Sequence, residues 1–208
     1  MSAPQKSHKQ NQALPQMDKQ LWGIGLLTSE VIVGSREKMQ QDLTLDATEL
    51  NDVITLSLND SILNYFTEVS KEEVILLPSL QKSSLDKPQS VATDSTRFIK
   101  VNWPLQGQSF SLDSQTPKYL FLLHDVYIAM GLKAKDLYDY QEAHKEIGEN
   151  QSKTFSIVLS YTIWDNELQQ YVRYGSIDWR KEIFTPITPK LIHHGFKNAL
   201  AKAWGFHQ

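Results

Sequence analysis

His124 and Asp125 stand side by side in the run "PKYLFLLHDVYIAMGL" (117–132), and they are the natural starting point for acid–base chemistry in this sequence. The run around them is nearly continuous in apolar residues, the pattern of a strand buried on both faces. Neighbours on a strand point to opposite faces, so the two cannot act on each other directly. A hydrolytic site or a small-molecule pocket would need them to meet Ser160, Tyr161 or Tyr174 from the segment 154–179. Otherwise one of the pair is expected to be buried and hydrogen-bonded, because an orphaned polar group inside a protein costs roughly 1–3 kcal/mol.

Other constellations are weaker. His193 and His194 are adjacent, and on a helix adjacent side chains diverge by about 100°, so they do not converge on one metal ion. Lys197, one turn after His193, repels a cation. His193 is expected to border an apolar helix face and His194 to face solvent. The acids Glu72, Glu73, Asp136, Asp139, Glu142, Glu146 and Glu149 read as solvated surface, and "DLYDYQEAHKE" (136–146) lacks the central glycine and ligand spacing of a calcium loop. Gly23-Ile24-Gly25 lacks the third glycine and the following helix of a dinucleotide fingerprint. Gly-x-Ser-x-Gly, a phosphate-binding loop and His-Glu-x-x-His are all missing. The sequence has no cysteine, which removes disulfides, thiolate nucleophiles and cysteine-ligated metals. The expectation is therefore no catalytic, cofactor or metal residues, and a protein that binds without catalysis. Its candidate contact residues are His124, Asp125, Trp103, Tyr138, Tyr140 and Trp164.

The elements that must position these residues are legible from periodicity. "LWGIGLLTSEVIVG" (21–34) predicts a strand bent at its glycines. "DATELNDVITLSLNDSILNYF" (46–66) predicts a helix: Asp46 and Glu49 have capping-box spacing, and Leu50, Val53, Ile54, Leu58, Ile62 and Phe66 form one apolar stripe. "EEVILLPSL" (72–80) predicts a short buried strand closed by Pro78. Residues 81–116 are low in periodicity, with one edge strand expected in 95–105, where Pro104 bars a central position. The run 117–132 predicts the central strand. It is followed by a charged excursion, 133–153, and then a hairpin over 154–179, with one core face, one half-polar face and a turn at "DNEL" (165–168). A last helix is expected over 188–206, with Thr188 as N-cap, Pro189 at the first helical position, Gly205 after its end, and a buried face of Ile192, Phe196, Ala199, Leu200 and Ala203. The fold class is α/β (α+β): a mixed central sheet with helices packed on it, a C-terminal helix and a long β-hairpin.

Residues 21–208 are expected to form a single domain, and the polar opening "MSAPQKSHKQNQALPQ" makes 1–20 a tail or tether with almost nothing to bury. The net charge is -3, and Lys and Arg are scattered among acids, so nucleic acid is not an expected partner. No apolar run reaches the roughly 20 residues that span a bilayer. The Ser- and Gln-rich opening fits either a cytoplasmic tail or the spacer of an exported protein whose signal peptide and lipid-bearing cysteine preceded Ser2, and the second is the expectation.

The segments "KYLFLLHDVYIAMG", "KTFSIVLSYTIWDNELQQYVRYGSIDW" and "PKLIHHGFKNALAKAW" together resemble the second half of small bacterial envelope lipoproteins related to the periplasmic domain of the curli secretion channel and the amino-terminal domain of TolB. The likeness covers roughly residues 118–204. Trp164-Asp165-Asn166 stands where that group carries its hairpin turn, without the usual glycine. The resemblance implies export, lipid anchoring at the periplasmic face, and a role in assembly or binding, with another envelope protein or a second copy as partner and no cofactor.

Overall fold

A computed structural model describes residues 20–27, 31–71, 74–77, 85, 89–92, 98–105, 107–131 and 153–203. Asp46 opens the longest helix as its spacing requires. Its carboxylate accepts from the amides of Thr48 and Glu49, at 2.7 and 2.9 Å, while Glu49 reaches back to the Asp46 amide at 2.8 Å. Among the described residues this helix is the second of three: α1, Arg36–Leu43; α2, Ala47–Ser70; and α3, Pro189–Ala203. The strands are β1, Trp22–Leu26; β2, Ile32–Val33; β3, Val74–Leu76; β4, Gln89–Ala92; β5, Phe98–Val101; β6, Tyr119–Gly131; β7, Lys153–Asp165; and β8, Gln170–Ile183.

Six of the strands form one mixed sheet in the order β3-β1-β6-β7-β8, with β2 also paired to β6. β1 pairs parallel to both β3 and β6, and β2 parallel to β6. β7 runs antiparallel to β6, because the Asn166 amide at its end meets the Lys118 carbonyl at the start of β6, at 2.8 Å. β4 and β5 make a separate antiparallel pair.

The described residues gather into two compact units. The first takes its described residues from Met1–Ser29, Phe66–His124 and Ser160–Ser176. Its interior contains Leu27, Ile75, Leu77, Leu85, Leu120, Leu122 and Trp164 as one apolar cluster. The Phe66 ring stands between Trp22 and Phe121, at 5.3 and 5.0 Å, and Phe121 stacks on Tyr161 at 5.6 Å. The second unit takes its described residues from Glu30–Tyr65, Asp125–Leu159 and Ile177–Gln208. Here α3 lies close over β7 and β8 at Gly195, where an added Cβ would stand 2.7 Å from Ile157, 2.9 Å from Trp179 and 3.2 Å from Phe155. Ile192, Phe196, Ala199 and Leu200 are buried. Thr188 caps the helix, its Oγ1 accepting from the Leu191 amide at 3.2 Å.

The structure departs from the sequence reading at six places. The expected bent strand of 21–34 is two strands, both of them paired to β6. β3 is an edge strand with Leu76 exposed, since an apolar run does not reveal which of its faces is covered. α1 is a helix the sequence does not announce: it buries only Met39, and it opens and closes on left-handed Ser35 and Thr44 with no side-chain cap at its start. α2 runs on to Ser70, past the end of its apolar stripe, and β8 runs on to Ile183. The expected half-polar face of β7 is covered, with Ser156, Ser160 and Thr162 all buried.

Candidate functional site

Trp103 follows β5 by two residues. The chain there is held by a bridge between Leu85 and Pro104. One side of the half-buried indole packs against the leucine-rich cluster of the first unit. Tyr171 lies 5.2 Å from it and Tyr174 6.0 Å, while the two tyrosine rings are 5.6 Å apart and nearly edge-to-face. Three aromatic rings thus form a closed triangle on the surface, within the 4.5–7 Å range in which such rings attract. Tyr171 is exposed, Tyr174 half-buried. Gly107 lies against the side chain of Gln169, which brings the loop after Trp103 beside the turn between β7 and β8. These two segments carry Leu105, 47% exposed, and Leu168, 65% exposed. Large apolar side chains left in water around an aromatic centre are the usual composition of a protein contact surface.

The turn beside this patch is built from Asp165 and Asn166, but they do different work. Asp165 accepts from the amides of Glu167 and Leu168, at 3.0 and 2.8 Å. Asn166 is buried, and its side chain binds both the amide and the carbonyl of Phe110 and also the Pro117 carbonyl, each at 2.8 Å. The turn is thereby tied to the segment before β6. Gln169 takes the left-handed conformation, φ 52°, at the end of this glycine-free turn.

His124 is buried, and its Nε2 lies 2.8 Å from Thr162 Oγ1. The Thr162 hydroxyl donates to the Asn102 carbonyl at 3.3 Å. Having spent its one hydrogen there, it accepts from His124, so Nε2 carries the ring proton and acts as a donor. Asp125 is exposed. Tyr161 is buried, and burial pushes its phenol pKa above the usual value against the smaller opposing pull of Arg173. Its hydroxyl is therefore protonated at neutral pH. Trp164 is 2% exposed inside the leucine cluster, and its indole N–H meets no acceptor among the described residues. A partner cannot reach that ring without opening the core. Tyr138 and Tyr140 lie outside the described residues.

One serine–histidine contact was not foreseen. Ser61 Oγ lies 3.0 Å from His193 Nδ1. It has the look of a nucleophile and its base, but Ser61 is buried and its hydroxyl donates to the Ser57 carbonyl one helical turn back. The histidine donates to it in turn, and the pair joins α2 to α3. His194 is exposed, as its helical phase requires. No three His, Cys, Asp or Glu side chains gather to hold a metal ion among the described residues.

No family model matches the chain, and no curated protein matches it. Among solved structures it is similar to a protein of Helicobacter pylori described as a neuraminyllactose-binding hemagglutinin homolog. The TM-score is 0.44 at 8% identity, over 93% of this chain and 86% of that one. A Xanthomonas campestris protein of the DUF330 family gives 0.34 at 11% identity over 93% and 84%. A hypothetical protein of Chlamydia trachomatis gives 0.34 at 11% over 90% and 97%. All three come from bacteria, and at such TM-scores the likeness carries no argument about function.

Proposed function

We propose that this protein is a non-catalytic component of a bacterial cell envelope, held at the periplasmic face by a lipid-bearing cysteine upstream of Ser2, and that it works by binding another envelope protein or a second copy of itself. The relation to the curli secretion channel and TolB domains belongs to this reading, and rests on the pattern of 118–204 described above. The observation that carries the binding role is the aromatic triangle of Trp103, Tyr171 and Tyr174 with Leu105 and Leu168 exposed nearby. A docking function needs such a surface, whereas a hydrolytic one needs polar groups open to a substrate, and His124 is bonded to Thr162 in the interior while Tyr161 is buried against Phe121.

The test is native electrophoresis of envelopes extracted in mild detergent from cells expressing the native gene. The wild-type protein should run in an assembly larger than one chain. The variant with Trp103→Ser, Tyr171→Ser and Tyr174→Ser should run at the size of one chain. Recovery of the wild type in the cytosol, or equal mobility of the two, would count against the proposal.

A further inference from the structure

The second unit carries a different surface. Between β8 and α3 the chain makes a loop over 184–188, and Phe184 at its start is 82% exposed. This exposure is imposed by the fold. Ile183 and Ile187 are buried on either side of it, and the Ile187 amide donates to the carboxylate of Asp42 on α1 at 3.2 Å. The loop is pinned at both ends, so Phe184 cannot turn inward without breaking those contacts. Burying a ring of this size is worth roughly 1.5–3 kcal/mol, and here that gain is forgone in the isolated chain.

Charge surrounds the ring. Phe184 lines an open cleft of about 520 Å³ together with Lys181, Lys190 and His194 and with one acid, Glu182. Neither lysine has an ion-pair partner among the described residues. α3 contains no acidic residue, and Lys190, His194 and Lys197 recur along it at four- and three-residue steps, opposite the buried Ile192, Phe196 and Leu200. From residue 181 onward the sequence holds four lysines and one acid, Glu182, whereas the first 180 residues hold 17 basic and 23 acidic side chains. An acidic protein thus gathers a basic face around one protruding aromatic ring. That combination fits an anionic bilayer: cations meet lipid phosphates while the ring enters the boundary between headgroups and acyl chains. Leu56 on α2 supplies the contrast. It is 61% exposed, but Asp52 and Asp60 flank it one turn away on either side, so an anionic surface would repel it.

We propose that the 184–188 loop and the exposed face of α3 form a peripheral docking surface for an anionic lipid bilayer, with Phe184 as the inserted residue and Lys181 and Lys190 as the headgroup contacts. This surface is separate from the aromatic triangle, and its test does not depend on the partner proposed there.

The experiment is flotation of the full chain with vesicles of phosphatidylcholine, with and without phosphatidylglycerol, at low and at high salt. The protein should float with the phosphatidylglycerol vesicles at low salt, stay behind with phosphatidylcholine alone, and be released at high salt. Phe184→Ser should lower the partition coefficient about tenfold. The pair Lys181→Gln and Lys190→Gln should lower it about 25-fold, at about fivefold per lysine. Leu56→Ser should leave it unchanged. Three outcomes would overturn the proposal: no flotation of the wild type with phosphatidylglycerol, wild-type binding by the Phe184 and lysine variants, or binding that inorganic phosphate abolishes while Phe184→Ser leaves it intact.

Discussion

Thr162 shows how a side chain that looks chemically useful is used up by folding. Its hydroxyl stands between His124 Nε2 and the Asn102 carbonyl, and each of the three groups supplies what the next requires. Replacing it by valine keeps the shape but leaves a buried ring N–H without an acceptor, so Thr162→Val should destabilise the protein by about 1–3 kcal/mol in urea unfolding. Thr162→Ser, which keeps the hydroxyl, should cost less. Tyr161 makes the parallel point through pH. Burial raises its pKa in the folded state above that of the unfolded chain. Its contribution to stability is therefore complete below the unfolded value, about 10, and is lost as pH rises from there through the folded value. Unfolding followed across alkaline pH should show this fall in stability, and Tyr161→Phe should make it shallower.

The element scale is where most of the sequence reading can be checked. Asp46 and Glu49 make the reciprocal bonds their spacing implies, Thr188 caps α3, and Phe196 is buried on the face its periodicity marks. Gly195 beside it had no reading from sequence, yet it sets how near α3 comes to the sheet. Gly195→Ala should gain about 1 kcal/mol of helix propensity and lose about 1–3 kcal/mol to the crowding of Ile157 and Trp179, giving a net loss of thermal stability. Phe196→Ala should cost more, about 3–5 kcal/mol, because it empties a filled site. Sequence signals worked where a local rule had a local consequence, as in a cap, a central apolar run or a hairpin turn. They were silent where the consequence depended on remote segments. α1 has neither an apolar stripe nor a capping side chain to announce it. Asn166 reads as a turn residue, and nothing local tells that its amide will hold Phe110 and Pro117. Trp103 stood out as an aromatic in a polar stretch, but nothing in the sequence paired it with Tyr171 and Tyr174.

Each of the two units leaves large apolar side chains at its surface: a triangle of rings on one and a Phe-tipped, lysine-flanked loop on the other. The aromatic triangle is central to the proposed role, and a photo-reactive phenylalanine analogue placed at Tyr171 in the native gene addresses it directly. After illumination of living cells, the probe at 171 should give a discrete covalent adduct with a second protein chain. The same probe at Leu56, more open to solvent but flanked by acids, should give none. Loss of the 171 adduct when Trp103 is also changed to Ser would tie it to the three-ring surface. A chain that stays uncrosslinked at 171 while folded and abundant, or that crosslinks as readily at 56, would contradict a docking role for this patch.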